Sequence, residues 1–145
     1  MEFQIYKRHV PDYVKKQLPI LFDGTPDFLM YEKGKTDHCV MVFREGKKVI
    51  GAINYSVYDV AMIHGMPYCN IYIDRFEVCE KQLRKGYGTQ MFAMFRAYID
   101  HNVYEYTLTH RSYDDGVSYK FWRRQGFRHQ RLSDCCMYLK IKQLI

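Results

Sequence analysis

The stretch Leu83-Arg84-Lys85-Gly86-Tyr87-Gly88-Thr89 has the residue types of an anion site. Glycines at a helix entrance let the backbone approach a ligand closely. The N–H groups of the first turn then point outward with the positive end of the helix dipole. Arg84 and Lys85 add charge beside them. The loop is not a Walker A motif, because G-x-x-x-x-G-K-[ST] is missing, and Met91 stands where the third glycine of G-x-G-x-x-G would fall. The preceding strand, residues 71–78, carries Asp74, Arg75 and Glu77. An inner strand covered by helices should instead be apolar on both faces. Alternation sets Tyr72, Asp74, Phe76 and Val78 on one face, and Ile73, Arg75 and Glu77 on the other. The remaining reactive residue types are not grouped. Five cysteines are an odd number without C-x-x-C spacing, and none of the six histidines pairs at i, i+4. Neither a disulfide framework nor a metal site is expected.

The elements that would hold these residues follow from pattern and punctuation. Residues 3–7 read as a strand, and a helix runs from about Asp12 until Pro19 stops or kinks it. A turn cluster at 23–26 precedes a segment, 27–31, of either type. Residues 39–43 and 49–57 are rich in β-branched and aromatic residues on either side of Glu45-Gly46-Lys47, an antiparallel hairpin. A looser stretch containing Gly65 and Pro67 leads to a strand over 70–79. After the glycine loop, Met91, Phe92, Phe95, Tyr98 and Ile99 recur at helical spacing. A strand at 104–109 follows, then a helix capped by Asp114 or Asp115 and ended by Gly126. Strands at 127–131 and 136–141 close the chain. Such an order implies an α/β (α+β) mixed sheet with helices on it.

The chain has 145 residues, about the length of one domain. Its apolar and charged fractions are ordinary for a globular protein. Glu2, Lys7 and Arg8 interrupt the N-terminus before an apolar signal region could form, so a cytoplasmic protein is expected. The longest uncharged run, 60–73, falls short of the ~20 residues of a membrane span. Lys plus Arg exceed Asp plus Glu by 22 to 16, a net charge of +6. That excess implies an anionic partner.

At the glycine loop the sequence resembles the GNAT superfamily of acetyl-coenzyme A-dependent N-acyltransferases. Val78 is followed eight residues later by Gly86, and Gly86-Tyr87-Gly88 fills the family's G-x-[GA]. Phe121-Trp122-Arg123-Arg124-Gln125-Gly126-Phe127 resembles its second hallmark, an aromatic-rich helix ending in Gly-Phe. The hairpin around Gly46 with Val49-Ile50-Gly51 is similar to its second and third strands. The resemblance implies a mostly antiparallel central sheet of six to seven strands, flanked by about four helices, with a β-loop-α site for acetyl-CoA. It implies direct transfer of acetyl to a primary amine, without metal or covalent enzyme intermediate. The residues implied at the coenzyme are Phe76, Val78, Leu83, Arg84, Lys85, Gly86, Tyr87, Gly88, Thr89, Asp115 and Trp122.

Two positions depart from the family. Leu83 stands where the loop usually has Arg or Gln, with Gln82 one residue earlier, and Trp122 stands where many members carry a Tyr as general acid. Tyr119, one helical turn before, is the candidate replacement. Asp74 shares the parity of the family's strand carboxylate and is the candidate base, with Tyr72 orienting the amine. Glu77 is its rival if a bulge reverses the alternation. A protein lysine or N-terminal amine is the favoured acceptor, to be met by residues 12–31 and 58–68. A small amine, an aminoacyl-tRNA, and a coenzyme-binding module without catalysis are the alternatives. Residues 81–131 hold ten basic and four acidic side chains, so the net charge is confined to the loop and the two signature helices. Lys81, Arg84 and Lys85 stand nearest the loop, and Arg123, Arg124 and Arg128 at the far helix. The confinement fits a phosphate-rich coenzyme better than a diffuse nucleic-acid coat.

Overall fold

The computed structural model describes residues 1–7, 10–18, 37–83, 85–109, 117–129 and 136–141. In chain order the strands are β1 (Glu2–Tyr6), β2 (Asp37–Glu45), β3 (Lys48–Ile63), β4 (Met66–Val78), β5 (Val103–Thr109), β6 (Arg128–His129) and β7 (Cys136–Lys140). They form one sheet in the spatial order β1-β2-β3-β4-β5-β7-β6. Every pairing is antiparallel except β4 with β5. That parallel pair needs a crossover, which carries the helix α2 (Tyr87–Ile99). The helices α1 (Asp12–Gln17) and α3 (Val117–Arg124) bring the α-helices among the described residues to three, against about four expected. Among the described residues no helix is long and apolar enough to cross a membrane.

β2 is apolar at consecutive positions because both of its faces are covered. Cys39, Met41 and Phe43 join Met91, Phe92 and Phe95 of α2, whereas Val40 and Val42 meet Val10, Val14 and Leu18 around α1. Each such buried side chain contributes roughly 1.5–3 kcal/mol. Gly51 marks a close approach over the sheet: a Cβ there would press on the Glu77 carbonyl oxygen and lie 2.7 Å from Met91 Cε.

Turn chemistry sets the hairpins. Gly46, at φ +59°, closes β2 onto β3 as the sequence implies. The stretch expected to be loose around Gly65 and Pro67 is instead a continuation of both strands. β3 and β4 stay paired as far as Ile63 and Met66, joined by His64 (φ +52°) and Gly65 (φ +78°). Two consecutive positive φ values match the right-handed twist of a hairpin, so Gly65 makes the turn and does not break the strand. Pro67 is tolerated because β5 pairs with β4 only from Cys69 onward, which leaves this length of β4 an edge.

α3 ends at Gly126, whose φ is +100°. The Gly126 N–H donates to Arg123 O and the Phe127 N–H to Trp122 O, both at 3.0 Å, the paired bonds of a Schellman cap. The capping candidates Asp114 and Asp115, and the segment 27–31, lie outside the described residues.

Candidate active site

Strands β4 and β5 run side by side only as far as Ile73 and Leu108. Beyond that point β4 stays with β3 to Val78, and β5 stays with β7 to Thr109. The parting opens a cavity of about 800 Å³, floored by β4, with the start of α2 on one side and α3 on the other. Its apolar wall is Phe76, Phe121 and Trp122, with ring centroids of Phe76 5.2 Å from Phe121 and 5.1 Å from Trp122.

The rim of the cavity is the glycine turn. Gly86 takes φ +78° as the residue before α2, a backbone state costly for a side chain with a Cβ. The first intrahelical bond runs from the Gln90 N–H to Gly86 O, so the amides of Tyr87, Gly88 and Thr89 have no acceptor within the helix. No acidic side chain occupies this first turn. The Cβ of a residue at Gly88 would lie 3.4 Å from Phe121 and 3.6 Å from Phe76, so the loop packs directly on the apolar wall.

The opposite feature is a bulge. Asn54 pairs with Arg75 and Tyr55 with Ile73, so Asp74 is an extra residue with no counterpart on β3. The bulge corrects the expected alternation, the condition that made Glu77 the rival carboxylate, but Asp74 lines the cavity and Glu77 does not. Phe76 and Val78 lie with Ile71 and Ile73 against the α2 side, and do not share the face of Tyr72 and Asp74. Asp74 accepts a hydrogen bond from Ser56 Oγ at 2.8 Å, and Ser56 Oγ lies 2.9 Å from His38 Nδ1. His38 Nδ1 is itself 3.6 Å from Asp74 Oδ2. Burial pushes the His38 imidazole down to about 4, so it is neutral at pH 7.

Residues 4–127 match the acetyltransferase (GNAT) family. The chain belongs to that family. Its fold is similar to that of a tandem GNAT protein from the clavulanic acid biosynthesis pathway, at 20% identity and TM-score 0.65, over 90% of this chain and 44% of that one. It is also similar to Tetrahymena Gcn5, at 16% identity and TM-score 0.62, over 100% and 99% of the two chains. The Escherichia coli protein YhhK, bound to coenzyme A, aligns at 16% identity and TM-score 0.59, over 94% and 98%. No curated protein matches the chain.

The GNAT sheet brings most of the expected site residues together. Phe76, Val78, Leu83, Gly86, Tyr87, Gly88, Thr89 and Trp122 all line the cavity, and Asp74 joins them from the bulge. Lys85 is exposed beside it, its Nζ donating to Gln82 Oε1 at 3.4 Å. Arg84 and Asp115 lie outside the described residues. Tyr72 is half-buried and is not a lining residue. Neither is Tyr119, whose ring stacks on His129 at 5.4 Å. Lining residues not picked out for the site in the sequence include Ile73, Leu108, Ser118 and Phe121. Ser118 and Phe121 stand at i, i+3 on one helix face, a spacing that could have pointed to them.

The cavity fits the coenzyme that the family implies. Amides at a helix start, a glycine with open space around its missing Cβ, and an apolar slot beyond them suit a pyrophosphate followed by an apolar arm.

Proposed function

We propose that the protein transfers an acetyl group from acetyl-CoA to a primary amine, with a protein lysine or N-terminal amine as acceptor. The carrying observation is that one cavity joins the Gly86 turn to the Asp74 bulge across the parted strands. YhhK, of the same fold, is bound to coenzyme A. In the balanced reaction the amine nitrogen bonds to the acetyl carbon, the carbon–sulfur bond breaks, and the products are an amide and a free thiol. Acetyl-CoA supplies the activated acyl carbon and a thiolate leaving group which, like cysteine with a pKa of about 8.5, needs little help from an acid. Trp122 at the tyrosine position is therefore compatible with turnover.

The chain's own residues do the rest. The amides of Tyr87, Gly88 and Thr89 hold the pyrophosphate. Phe76, Phe121 and Trp122 exclude water from the apolar arm. An ammonium has no lone pair, so Asp74 first takes its proton. Backbone N–H groups of β4 beyond Ile73, released from β5, are donors for the carbonyl oxygen as charge grows on it. The β3–β4 arm exposes Met62 and Met66, which suits a polypeptide acceptor better than a small polycation.

The test is incubation with acetyl-CoA and a mixture of small amines, lysine peptides and charged tRNA, read by mass spectrometry. Acetylated peptide is the expected product. Thermal stabilisation by acetyl-CoA with no product from any acceptor would refute transfer and leave a binding module. Asp74→Asn should slow transfer at least ~100-fold and leave coenzyme affinity unchanged.

A further inference from the structure

The α1 side of the sheet is apolar where Val40, Val42, Val49 and Ala52 lie, then turns polar at His38, Asn54 and Ser56, all of them buried. Buried polar side chains are costly unless hydrogen-bonded, so a polar end to an apolar face calls for a reason. Here three strands contribute one group each. β2 provides His38, β3 provides Ser56 opposite it in register, and the β4 bulge provides Asp74. His38 and Ser56 are 7% and 4% exposed, while the Asp74 side chain is 17% exposed at the cavity wall.

Proton counting sets the direction of the chain. A hydroxyl has one proton, and Ser56 spends it on Asp74 Oδ2 at 2.8 Å. His38 Nδ1, 2.9 Å from Ser56 Oγ, must then be the donor, which makes His38 the Nδ1–H tautomer. We propose that His38 and Ser56 are positioning residues for Asp74, a donor chain from the imidazole Nδ1–H through the Ser56 hydroxyl to Asp74 Oδ2 that holds the carboxylate oriented and ready to accept a proton. The proposal rests on the reading of Asp74 as the base. Because Nδ1 already carries a proton, the chain is closed to onward transfer. The proton that Asp74 takes from the acceptor ammonium therefore leaves through the cavity and not through His38. Other titratable or charged groups about Asp74 are Tyr72 and Arg75 on its own strand and Arg124 of α3, which lines the same cavity. α1 packs on this face through Val14 and keeps Asp12, Lys15 and Lys16 exposed.

NMR of the whole chain tests the proposal without a known acceptor. The ¹³C carboxyl titration of Asp74, assigned by its loss in Asp74→Asn, should move up by about one pH unit in Ser56→Ala, since a donor to the charged form is removed. Ser56→Thr keeps the hydroxyl and should restore the wild-type midpoint. The ¹⁵N shifts of His38 should report the neutral Nδ1–H tautomer at pH 7. An unchanged Asp74 midpoint in Ser56→Ala, or a His38 with its proton on Nε2, overturns the donor chain. Acetylation of lysine peptides by Asp74→Asn separates this from failure of the base. If Asp74→Asn turns over at the wild-type rate, the base reading falls and the proposal falls with it. If Asp74→Asn is slow but Ser56→Ala leaves the midpoint in place, only the donor chain is lost.

Discussion

Gly86→Val separates what the glycine does for the protein from what it does for the ligand. A Cβ at Gly86 would meet nothing within 4 Å, so the protein itself has room for a side chain. The intrinsic penalty is conformational. At φ +78° a residue with a Cβ costs about 1–2 kcal/mol, and a β-branched one somewhat more. For a chain of this size ~2 kcal/mol lowers Tm by about 4–8 °C, which leaves the protein folded at 25 °C. The ligand pays separately, because the side chain fills the space in front of the Tyr87, Gly88 and Thr89 amides. Losing one or two hydrogen bonds to a charged phosphate costs about 2–5 kcal/mol, a weakening of at least ~30-fold. Gly65 provides a matched control, with the same φ of +78° and nothing within 4 Å of its missing Cβ. It lies in the hairpin turn and does not line the cavity. Calorimetric titration with coenzyme A and thermal melts of both variants make the comparison. Similar losses of Tm with loss of affinity only in Gly86→Val is the expected result. A Gly86→Val protein that binds coenzyme A within twofold of wild type would refute the cradle.

Three further outcomes test the packing and electrostatics. Gly51→Ala forces a methyl against the Glu77 carbonyl and Met91, and should destabilise by about 1–3 kcal/mol, a fall of roughly 3–10 °C in Tm; a neutral result would mean the strand and α2 are not in close contact there. Asp100 accepts the buried Tyr106 hydroxyl and pairs with Arg96 at 2.8 Å. Asp100→Ala should thus cost about 1–3 kcal/mol by leaving that hydroxyl unsatisfied, and more than Tyr106→Phe in urea unfolding. His38 has its folded value lowered by burial, so the unfolded chain binds more protons below pH 6.5 and stability falls as pH drops toward about 4. The loss by pH 4.5 is at most ~2.5 kcal/mol, because the Asp74 carboxylate 3.6 Å away opposes it; an identical pH slope in His38→Gln would exclude His38 as its source.

The chemistry that lies on contiguous residues was legible before any fold. Gly86-Tyr87-Gly88 before a helix, the Gly46 hairpin and the Gly126 cap each rest on a local φ requirement, and all three adopt the expected conformations. Where the reading of residues failed, the cause was non-local. Gly65 and Pro67 read as strand breakers, yet the turn geometry and the free edge of β4 let both strands run on. Strict alternation placed Phe76 beside Asp74, and one inserted residue in the β3–β4 register reversed it. No spacing in the sequence links His38, Ser56 and Asp74, which lie 18 residues apart in each step. The sequence alone determined the order of elements and the phosphate-type turn, because dihedral preference and apolar periodicity act over a few residues. Only the tertiary structure decided which side chain Asp74 meets and where β4 leaves β5, because strand register is settled by partners distant in the chain.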